Sequence, residues 1–224
     1  MRTFSKLSFG LLFFAITALS SCSTNSNDQP EPVQAFFNLN VGNQWVYKQY
    51  ENTNQEPDVY NFNGKIDSVK VVSEVEINGI QYAKLSHKVN NSIPKYEYLR
   101  VDELGHLVGS NFLYSEGILP PANDLNVLKH PGNDTAYQST VVKETGTTYL
   151  NVATDKDIDV EDNTYRVRPL VIQHKTPSEY PPVITKTVEI NYKKQVGLVK
   201  KTNTYASDTP FYWEDRLVWY HIVN

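Results

Sequence analysis

From residue 36 onward, the chain is built of short runs in which apolar and polar side chains alternate. The clearest run extends from Tyr60 to Ile77, and a second run, from Ile80 to Val89, follows directly after Asn78-Gly79. Alternation with a period of two is typical of a β-strand with one buried face. Asn-Gly between two such runs favours a type I′ turn, because both central residues need positive φ. The sequence therefore predicts an antiparallel hairpin at this position.

The same pattern recurs along the chain and predicts an all-β fold. Fifteen Tyr, nine Phe and three Trp side chains fit strands better than helices. Residues 111–134 lack a period and predict a long connection with one short strand at Leu125–Leu128. Such a segment is often functional, so we expect it to be a lid or partner surface. The remaining predicted strands are Trp45–Tyr50, Lys95–Val101, His106–Gly109, Ala136–Glu144, Thr147–Ala153, Thr164–Lys175, Val183–Tyr192, Gly197–Tyr205 and Phe211–Val223.

About ten short strands with hairpin connections predict a single antiparallel meander. A flat sheet would leave both edges unpaired, so we expect the meander to curl. The aromatic side chains would then fill its concave side. A closed barrel and a half-barrel both fit this pattern.

Residues 1–21 have a different pattern. A short basic segment precedes an apolar run from Leu7 to Leu19, which is too short for a spanning helix of about 20 residues but suits the core of a signal peptide. The run ends on Leu19-Ser20-Ser21-Cys22, which contains the only cysteine. These four residues resemble the lipobox of bacterial lipoproteins, and the resemblance implies cleavage before Cys22 and acylation of its sulfur and new α-amino group. Ordinary cleavage after Ser20 is the alternative, but it leaves an odd cysteine unexplained.

Acylated Cys22 would attach the protein to a membrane. Each buried CH₂ contributes roughly 0.8 kcal/mol, so stable anchoring takes two or more chains, and a lipidated cysteine with three chains satisfies this. Residues 22–35 are then the acylated cysteine and a polar, flexible tether, and residues 36–224 form a single β domain. Ser23, rather than Asp, resembles the outer-membrane sorting signal of enteric bacteria. This implies the outer membrane of a Gram-negative envelope, on its periplasmic or surface face.

Two short motifs in the body resemble an uncharacterised family of all-β lipoproteins. Val41-Gly42-Asn43-Gln44-Trp45-Val46-Tyr47 matches the pattern Val-Gly-Asn-x-Trp-x-Tyr near the start, and Gly197-Leu198-Val199-Lys200 matches the pattern near the end. The two motifs bracket nearly the whole mature chain. This resemblance implies an architecture and no chemistry.

The charge balance limits the possible partners. The full chain has 21 basic and 25 acidic side chains. Since residues 1–21 contain two basic side chains and no acidic one, the mature chain would carry 19 against 25. An acidic chain favours neither nucleic acid nor electrostatic docking on anionic lipid. The expected membrane contact is therefore through the acyl chains alone.

Three aspartates at alternate positions are the weak candidates for a metal site. Asp155, Asp157 and Asp159 have the spacing with which a calcium loop begins. However, Val160 stands where that loop needs glycine, and Arg166 where it needs glutamate. We therefore interpret the segment as an acidic turn or strand face. The histidines lack zinc-site spacing, and nucleotide-binding and hydrolase motifs are missing, so the sequence predicts no metal, no cofactor and no catalytic residue.

The densest aromatic run is Phe211 to Tyr220, which offers candidate ligand-binding residues. A regular strand would place Trp213 and Trp219 on one face, and Tyr212 and Tyr220 on the other. One face is expected to be core. The sharper hypothesis is that a face lines a groove for an apolar or sugar ligand.

Two tripeptides are candidates for modification. Asp67-Ser68-Val69 and Asp134-Thr135-Ala136 resemble a periplasmic O-glycosylation signal of some Gram-negative bacteria. The resemblance implies glycans on Ser68 and Thr135.

Three functions follow from these patterns. The first is a non-enzymatic envelope lipoprotein that binds or shields an apolar ligand in its curled sheet, which is an analogy at the level of the fold. The second is a surface module that binds a glycan or a partner protein. The third is a hydrolase whose two carboxylates are brought together by the fold.

Overall fold

The computed structural model describes residues 35–52, 59–144, 146–177, 185–204 and 212–223. The signal peptide, Cys22 and all but the last residue of the tether lie outside these ranges. Within them the chain forms thirteen strands and one 3₁₀ turn at Ala122–Asp124, so the all-β class is confirmed. No helix of the described residues is long and apolar enough to cross a bilayer. The strands are β1 (Gln44–Asn52), β2 (Asn61–Ile77), β3 (Ile80–Val89), β4 (Lys95–Val101), β5 (Leu107–Gly109), β6 (Val127–His130), β7 (Gln138–Lys143), β8 (Gly146–Val152), β9 (Lys156–Val160), β10 (Asn163–Lys175), β11 (Thr185–Lys193), β12 (Gly197–Thr204) and β13 (Tyr212–His221).

The hairpin at Asn78-Gly79 forms as predicted. Asn78 has φ 53° and Gly79 has φ 78°, and Ile77 pairs with Ile80 across the turn. One strand is misplaced, because the short strand of the long connection lies at Val127–His130 instead of Leu125–Leu128. The acidic segment, for which a turn or a strand face was expected, forms the strand β9.

The strands form one antiparallel sheet that is curled but not closed. Its order is β6-β5-β4-β3-β2-β1-β13-β12-β11-β10-β8-β7, with β9 paired to β10 off this path. The first and last of the described strands are therefore neighbours, and β1 pairs with β13 along its whole length from Gln44 to Asn52. The consecutive strands β6 and β7 are the two edges of this curled meander, and the gap between them is the one break in the sheet.

A cluster of aromatic side chains packs next to this break. His130, at the end of β6, is fully buried and stacks on Phe36, with 5.3 Å between ring centroids. Phe37 and Tyr192 pack around the same imidazole. We call Phe36, Phe37, His130 and Tyr192 the aromatic plug. Residues 131–137 connect β6 to β7 beside this plug, and the Gly132 amide donates a hydrogen bond to His130.

A short hairpin covers part of the opposite, outer face of the sheet. It consists of β9 and the first half of β10, and a side-chain hydrogen bond from Tyr50 to Glu161 ties it to β1. Under it, Glu214 is buried and pairs with Lys200 at 2.8 Å and with Arg216 at 2.8 Å. Both carboxylate oxygens of Glu214 are thus paired with cations on the outer face.

Candidate functional site

The concave side of the sheet contains a cavity of about 550 Å³, a size typical of small-molecule sites. Successive side chains of a strand point to opposite faces, so each strand contributes alternate residues to the wall. On β13, for example, Trp213 and Asp215 line the cavity, whereas Glu214 and Arg216 lie on the outer face. The lining residues are Tyr47, Gln49, Lys65, Asp67, Val69, His87, Val89, Glu97, Asn111, Phe112, Leu113, Leu128, Lys129, Ile190, Tyr192, Leu198, Lys201, Asn203, Trp213 and Asp215.

One wall of the cavity is a chain of alternating charges. His87 Nδ1 lies 2.9 Å from Asp67 Oδ2, and His87 Nε2 lies 3.4 Å from Glu97 Oε2. Glu97 Oε1 is in turn 2.9 Å from Lys129 Nζ. The β2–β3 register brings the first two residues together, because Asp67 pairs with Val89 and Val69 with His87.

These contacts fix the protonation states of the wall. Burial alone would lower the pKa of His87, but the Asp67 hydrogen bond and the two carboxylate charges outweigh it and raise the pKa to about 9. Burial would raise the pKa of Glu97, but Lys129 and His87 lower it to about 2. At neutral pH, His87 is therefore a cation and Glu97 an anion.

A second polar group lies on β1, β12 and β13. Gln49 Nε2 donates to Asp215 Oδ1 at 2.9 Å, and Asn203 Nδ2 donates to Asp215 Oδ2 at 3.2 Å. Lys201 lies beside them, directly across the β12–β13 ladder from Asp215. Burial lowers the pKa of the Lys201 amine.

The cavity has an apolar base. A smaller pocket of about 90 Å³ shares Tyr47, His87 and Tyr192 with the main cavity and extends towards Phe37 and Trp45. Trp45 Nε1 donates to the carbonyl of Val196 at 2.6 Å, and the Tyr47 hydroxyl donates to the carbonyl of Leu198 at 3.0 Å. These bonds hold both rings in place against the wall.

The four predicted aromatic ligand-binding residues do not form one face. Trp213 lines the cavity, whereas Trp219 and Tyr220 are 50% and 37% exposed and do not line it, and Tyr212 points to the face opposite Trp213. Trp213 and Trp219 lie on different faces because of a bulge opposite Val46 and Tyr47, where the partners change from Trp219 to Leu217. This bulge shifts the alternation of β13 by one residue. Phe211 lies outside the described residues.

The three candidate metal ligands have other partners. Asp155 binds Arg168 through both carboxylate oxygens, at 2.7 and 3.0 Å. Asp157 lies 3.5 Å from Arg166, and Asp159 accepts a hydrogen bond from Thr164 at 2.6 Å. Among the described residues, no group of three potential ligands converges on a metal position.

The candidate modification sites are accessible. Ser68 is exposed on β2, and Thr135 is exposed in the connection between β6 and β7. Glycosylation of either side chain stays a prediction.

Sequence reasoning did not identify the polar cavity wall. Asp67, His87, Glu97 and Lys129 lie on four different strands or strand ends, so no spacing along the chain connects them. A partial signal exists within single strands, because Tyr47-x-Gln49 and Trp213-x-Asp215 place a polar side chain two residues from an aromatic one. Polar residues on an inward face, where a core residue is expected, are such a signal.

Comparison with known proteins gives two structural neighbours. No family model and no curated protein matches the chain. A protein from Parabacteroides distasonis ATCC 8503, provisionally described as a lipoprotein, is 14% identical with a TM-score of 0.39, and the match covers 85% of this chain and 100% of that one. A protein from Bacteroides fragilis NCTC 9343, provisionally described as exported and having a YmcC-like fold, is 12% identical with a TM-score of 0.46, covering 84% and 99%. At these similarities, neither structure assigns a function to this chain.

Proposed function

We propose that this protein is a non-enzymatic, lipid-anchored protein of the Gram-negative outer membrane, and that its cavity binds a small, hydroxyl-rich ligand such as a sugar. The observation that carries the binding proposal is the composition of the cavity wall, in which ordered acid, amide and amine groups stand beside Tyr47, Tyr192 and Trp213. Aromatic rings provide flat apolar surface, and the polar groups provide hydrogen bonds of fixed direction.

The polar wall argues against the purely apolar ligand that the curled sheet first suggested. Such a ligand would remove water from Asp215, Lys201 and Glu97 without replacing its hydrogen bonds. An unmet buried polar group costs about 1–3 kcal/mol, and a charged group costs more. A ligand with several hydroxyl groups replaces these bonds, and the apolar base can still take up a nonpolar ring face or short tail.

The wall also argues against a glycosidase-like carboxylate pair. His87 stands between Asp67 and Glu97, so no sugar bond can lie between these two carboxylates. A glycosidase also needs one protonated carboxyl group as general acid. With a pKa of about 2, Glu97 cannot act as that acid at neutral pH.

Two tryptophans provide a matched test of ligand binding. Trp213→Ala removes an aromatic wall of the cavity, whereas Trp219→Ala changes a half-exposed ring outside it. We expect a glycan array and calorimetric titration with the full-length protein to detect sugar binding, and Trp213→Ala to weaken it at least tenfold while Trp219→Ala has little effect. Equal effects of both substitutions, or no binding by the parent, would contradict the proposal.

The anchor is tested separately at Cys22. The parent is expected in the outer-membrane fraction, and Cys22→Ala in the periplasmic fluid, with labelled palmitate incorporated only into the parent. Retention of Cys22→Ala in the membrane fraction would refute lipid anchoring and leave the cavity proposal intact.

A second candidate is a surface that binds a partner protein. The connection after β5 exposes Phe112, Leu113, Ile118 and Leu119 on one short segment, at 42–60% of their area. Contiguous exposed apolar residues often mark interaction sites. Chemical cross-linking in intact cells tests this candidate, since a specific product should disappear in the Phe112→Ser/Ile118→Ser protein and persist in Trp213→Ala.

A further inference from the structure

The carboxylates of the cavity wall are already paired with other side chains. Asp67 is bound by His87, Glu97 by His87 and Lys129, and Asp215 by Gln49 and Asn203. Lys201 differs from them. Within the described part of the chain, no carboxylate oxygen lies within 4.0 Å of its amine.

The charges of the cavity point to the same amine. Four basic groups line it (Lys65, His87, Lys129 and Lys201) against three acidic groups (Asp67, Glu97 and Asp215). Lys65 is exposed to solvent, which screens its charge, and His87 and Lys129 belong to the paired wall. The remaining charges, Lys201 and Asp215, balance in number, but two side-chain amides bind Asp215 and Lys201 makes no ion pair with any described residue.

We propose that Lys201 binds an anionic group of the ligand, so that the cavity selects a hydroxyl-rich small molecule carrying a carboxylate or a phosphate. This inference rests on the proposed binding function and narrows it to acidic ligands. A buried amine that makes no direct ion pair is only partly compensated for its lost hydration, because Asp215 attracts it from beyond 4.0 Å. A ligand anion that replaces the lost hydration recovers this free energy, and a charge-assisted hydrogen bond is about twice as strong as a neutral one.

The neighbours of Lys201 suit such a ligand. Asp215 lies across the ladder on β13, and Ile190 lies across from Lys201 on β11. The Asp215–Gln49–Asn203 group can bind hydroxyl groups, and Trp213 adds an aromatic surface in the same wall. Burial lowers the pKa of the Lys201 amine although the Asp215 charge raises it, which agrees with an amine that forms no direct ion pair.

The test compares acidic and neutral probes. Calorimetric titrations of the full-length protein use glucuronate, glucose 6-phosphate and glucose, which differ mainly in the anionic group. The variants are Lys201→Met, which removes the charge and keeps the length, Lys201→Arg, which keeps a charge, and Lys88→Met, which removes an exposed amine of β3 outside the cavity lining. We expect the parent, Lys201→Arg and Lys88→Met to bind one acidic probe at least tenfold more tightly than glucose, and Lys201→Met to bind both within threefold.

The outcomes separate this inference from the cavity proposal. A preference for glucuronate identifies a carboxylate ligand, and a preference for glucose 6-phosphate identifies a phosphate ligand. If the parent binds glucose and both acidic probes equally, the role of Lys201 is refuted while sugar binding stands. If no probe binds the parent, both proposals fail.

A stability measurement provides a second readout that needs no ligand. Because burial outweighs the attraction of Asp215 for this amine, Lys201→Met should raise Tm by about 2 °C or more, whereas Lys88→Met should leave Tm unchanged. A Tm of Lys201→Met below that of the parent would mean that the amine has a stabilising partner within the protein, which would overturn the inference.

Discussion

Two histidines of the structure, His87 and His130, are in opposite protonation states. His87, in the cavity wall, stands between two carboxylates and has a pKa raised to about 9. His130, in the aromatic plug, has a pKa lowered to about 4, first because it is buried and then because Arg168 and His106 repel a proton. Burial opposes the charged form of both rings, so their neighbours decide the difference. The cavity wall stabilises a charged imidazole, whereas the aromatic plug stabilises a neutral one.

The hydrogen bonds of the two rings match these states. As a cation, His87 donates from Nδ1 to Asp67. As a neutral ring, His130 accepts from the Gly132 amide at Nδ1 and donates from Nε2 to the carbonyl of Arg168, both at 3.0 Å. The first ring joins charges across two strands, and the second holds the backbone at the break in the sheet. The following predictions test whether the two histidines really differ in this way.

The largest effect is expected from His87→Leu. This substitution leaves Asp67 and Glu97 without the cation between them, and breaking a buried ion network costs about 3–5 kcal/mol. Urea unfolding at pH 7 measures the loss. The control is His221→Leu, at an exposed position on β13, which should cost less than about 0.5 kcal/mol. A loss below about 1 kcal/mol for His87→Leu would show that His87 is not a buried cation.

Acid should destabilise the protein through His130. Its folded pKa of about 4 lies below the unfolded value of 6.5, so the unfolded chain binds the proton first. The contribution of His130 to the free energy of unfolding is complete above pH 6.5. It is lost progressively as the pH falls towards 4, by about 3 kcal/mol in total. Urea unfolding between pH 7 and 4 should show this decline in the parent. The slope should be clearly smaller in His130→Gln, which has no titrating ring; an unchanged slope would refute the assignment.

Alkali should destabilise the protein through His87. Its folded pKa of about 9 lies above the unfolded value of 6.5, so its contribution is complete below pH 6.5 and is lost as the pH rises through 9. The expected decline is about 3 kcal/mol. Since the window differs from that of His130, the parent should be most stable near pH 6.5. A flat profile between pH 6.5 and 9 would contradict the charged state of this ring.

Two glycines test how tightly the backbone is packed next to the plug. Gly132 and Gly117 have similar positive φ angles, 60° and 77°, but a Cβ on Gly132 would lie 2.2 Å from the carbonyl oxygen of Gly105, whereas a Cβ on Gly117 would meet nothing within 4 Å. We expect Gly117→Ala to cost about 1 kcal/mol for the backbone conformation alone. Gly132→Ala should cost about 2–3 kcal/mol more, because the backbone must move. Thermal unfolding of both variants tests this difference. Equal losses of stability would mean that the backbone around Gly132 moves aside without a large free-energy cost.

The smallest effect is expected from Lys129→Met. Lys129 is partly exposed, so its ion pair with Glu97 contributes about 1 kcal/mol or less. The more informative result is the pKa of Glu97, which should rise because Lys129 is the strongest charge that lowers it. Carboxyl-carbon NMR titration measures this shift. An unchanged pKa would mean that His87 alone holds Glu97 ionised.

The sequence predicted the local features of the fold and missed the features that depend on assembly. Asn78-Gly79 specified its turn because both residues tolerate positive φ, and the alternation around it specified two strands. The faces of β13 were mispredicted, because a bulge on one strand is caused by its register with another. The pairing of Asp67 with His87 likewise exists only after β2 and β3 have aligned. No sequence motif could therefore identify the cavity, although the polar residues at inward strand positions were a partial signal for it.

The pairing of β1 with β13 has a consequence for biosynthesis. A chain leaves the ribosome from its N-terminus, so Gln44–Asn52 must wait for β13, at Tyr212–His221, before both of its edges are covered. Non-local pairing of this kind folds slowly. A nascent or truncated product without β13 would carry an open strand edge beside a half-formed pocket. Such a product is a natural target for holding chaperones and quality-control proteases.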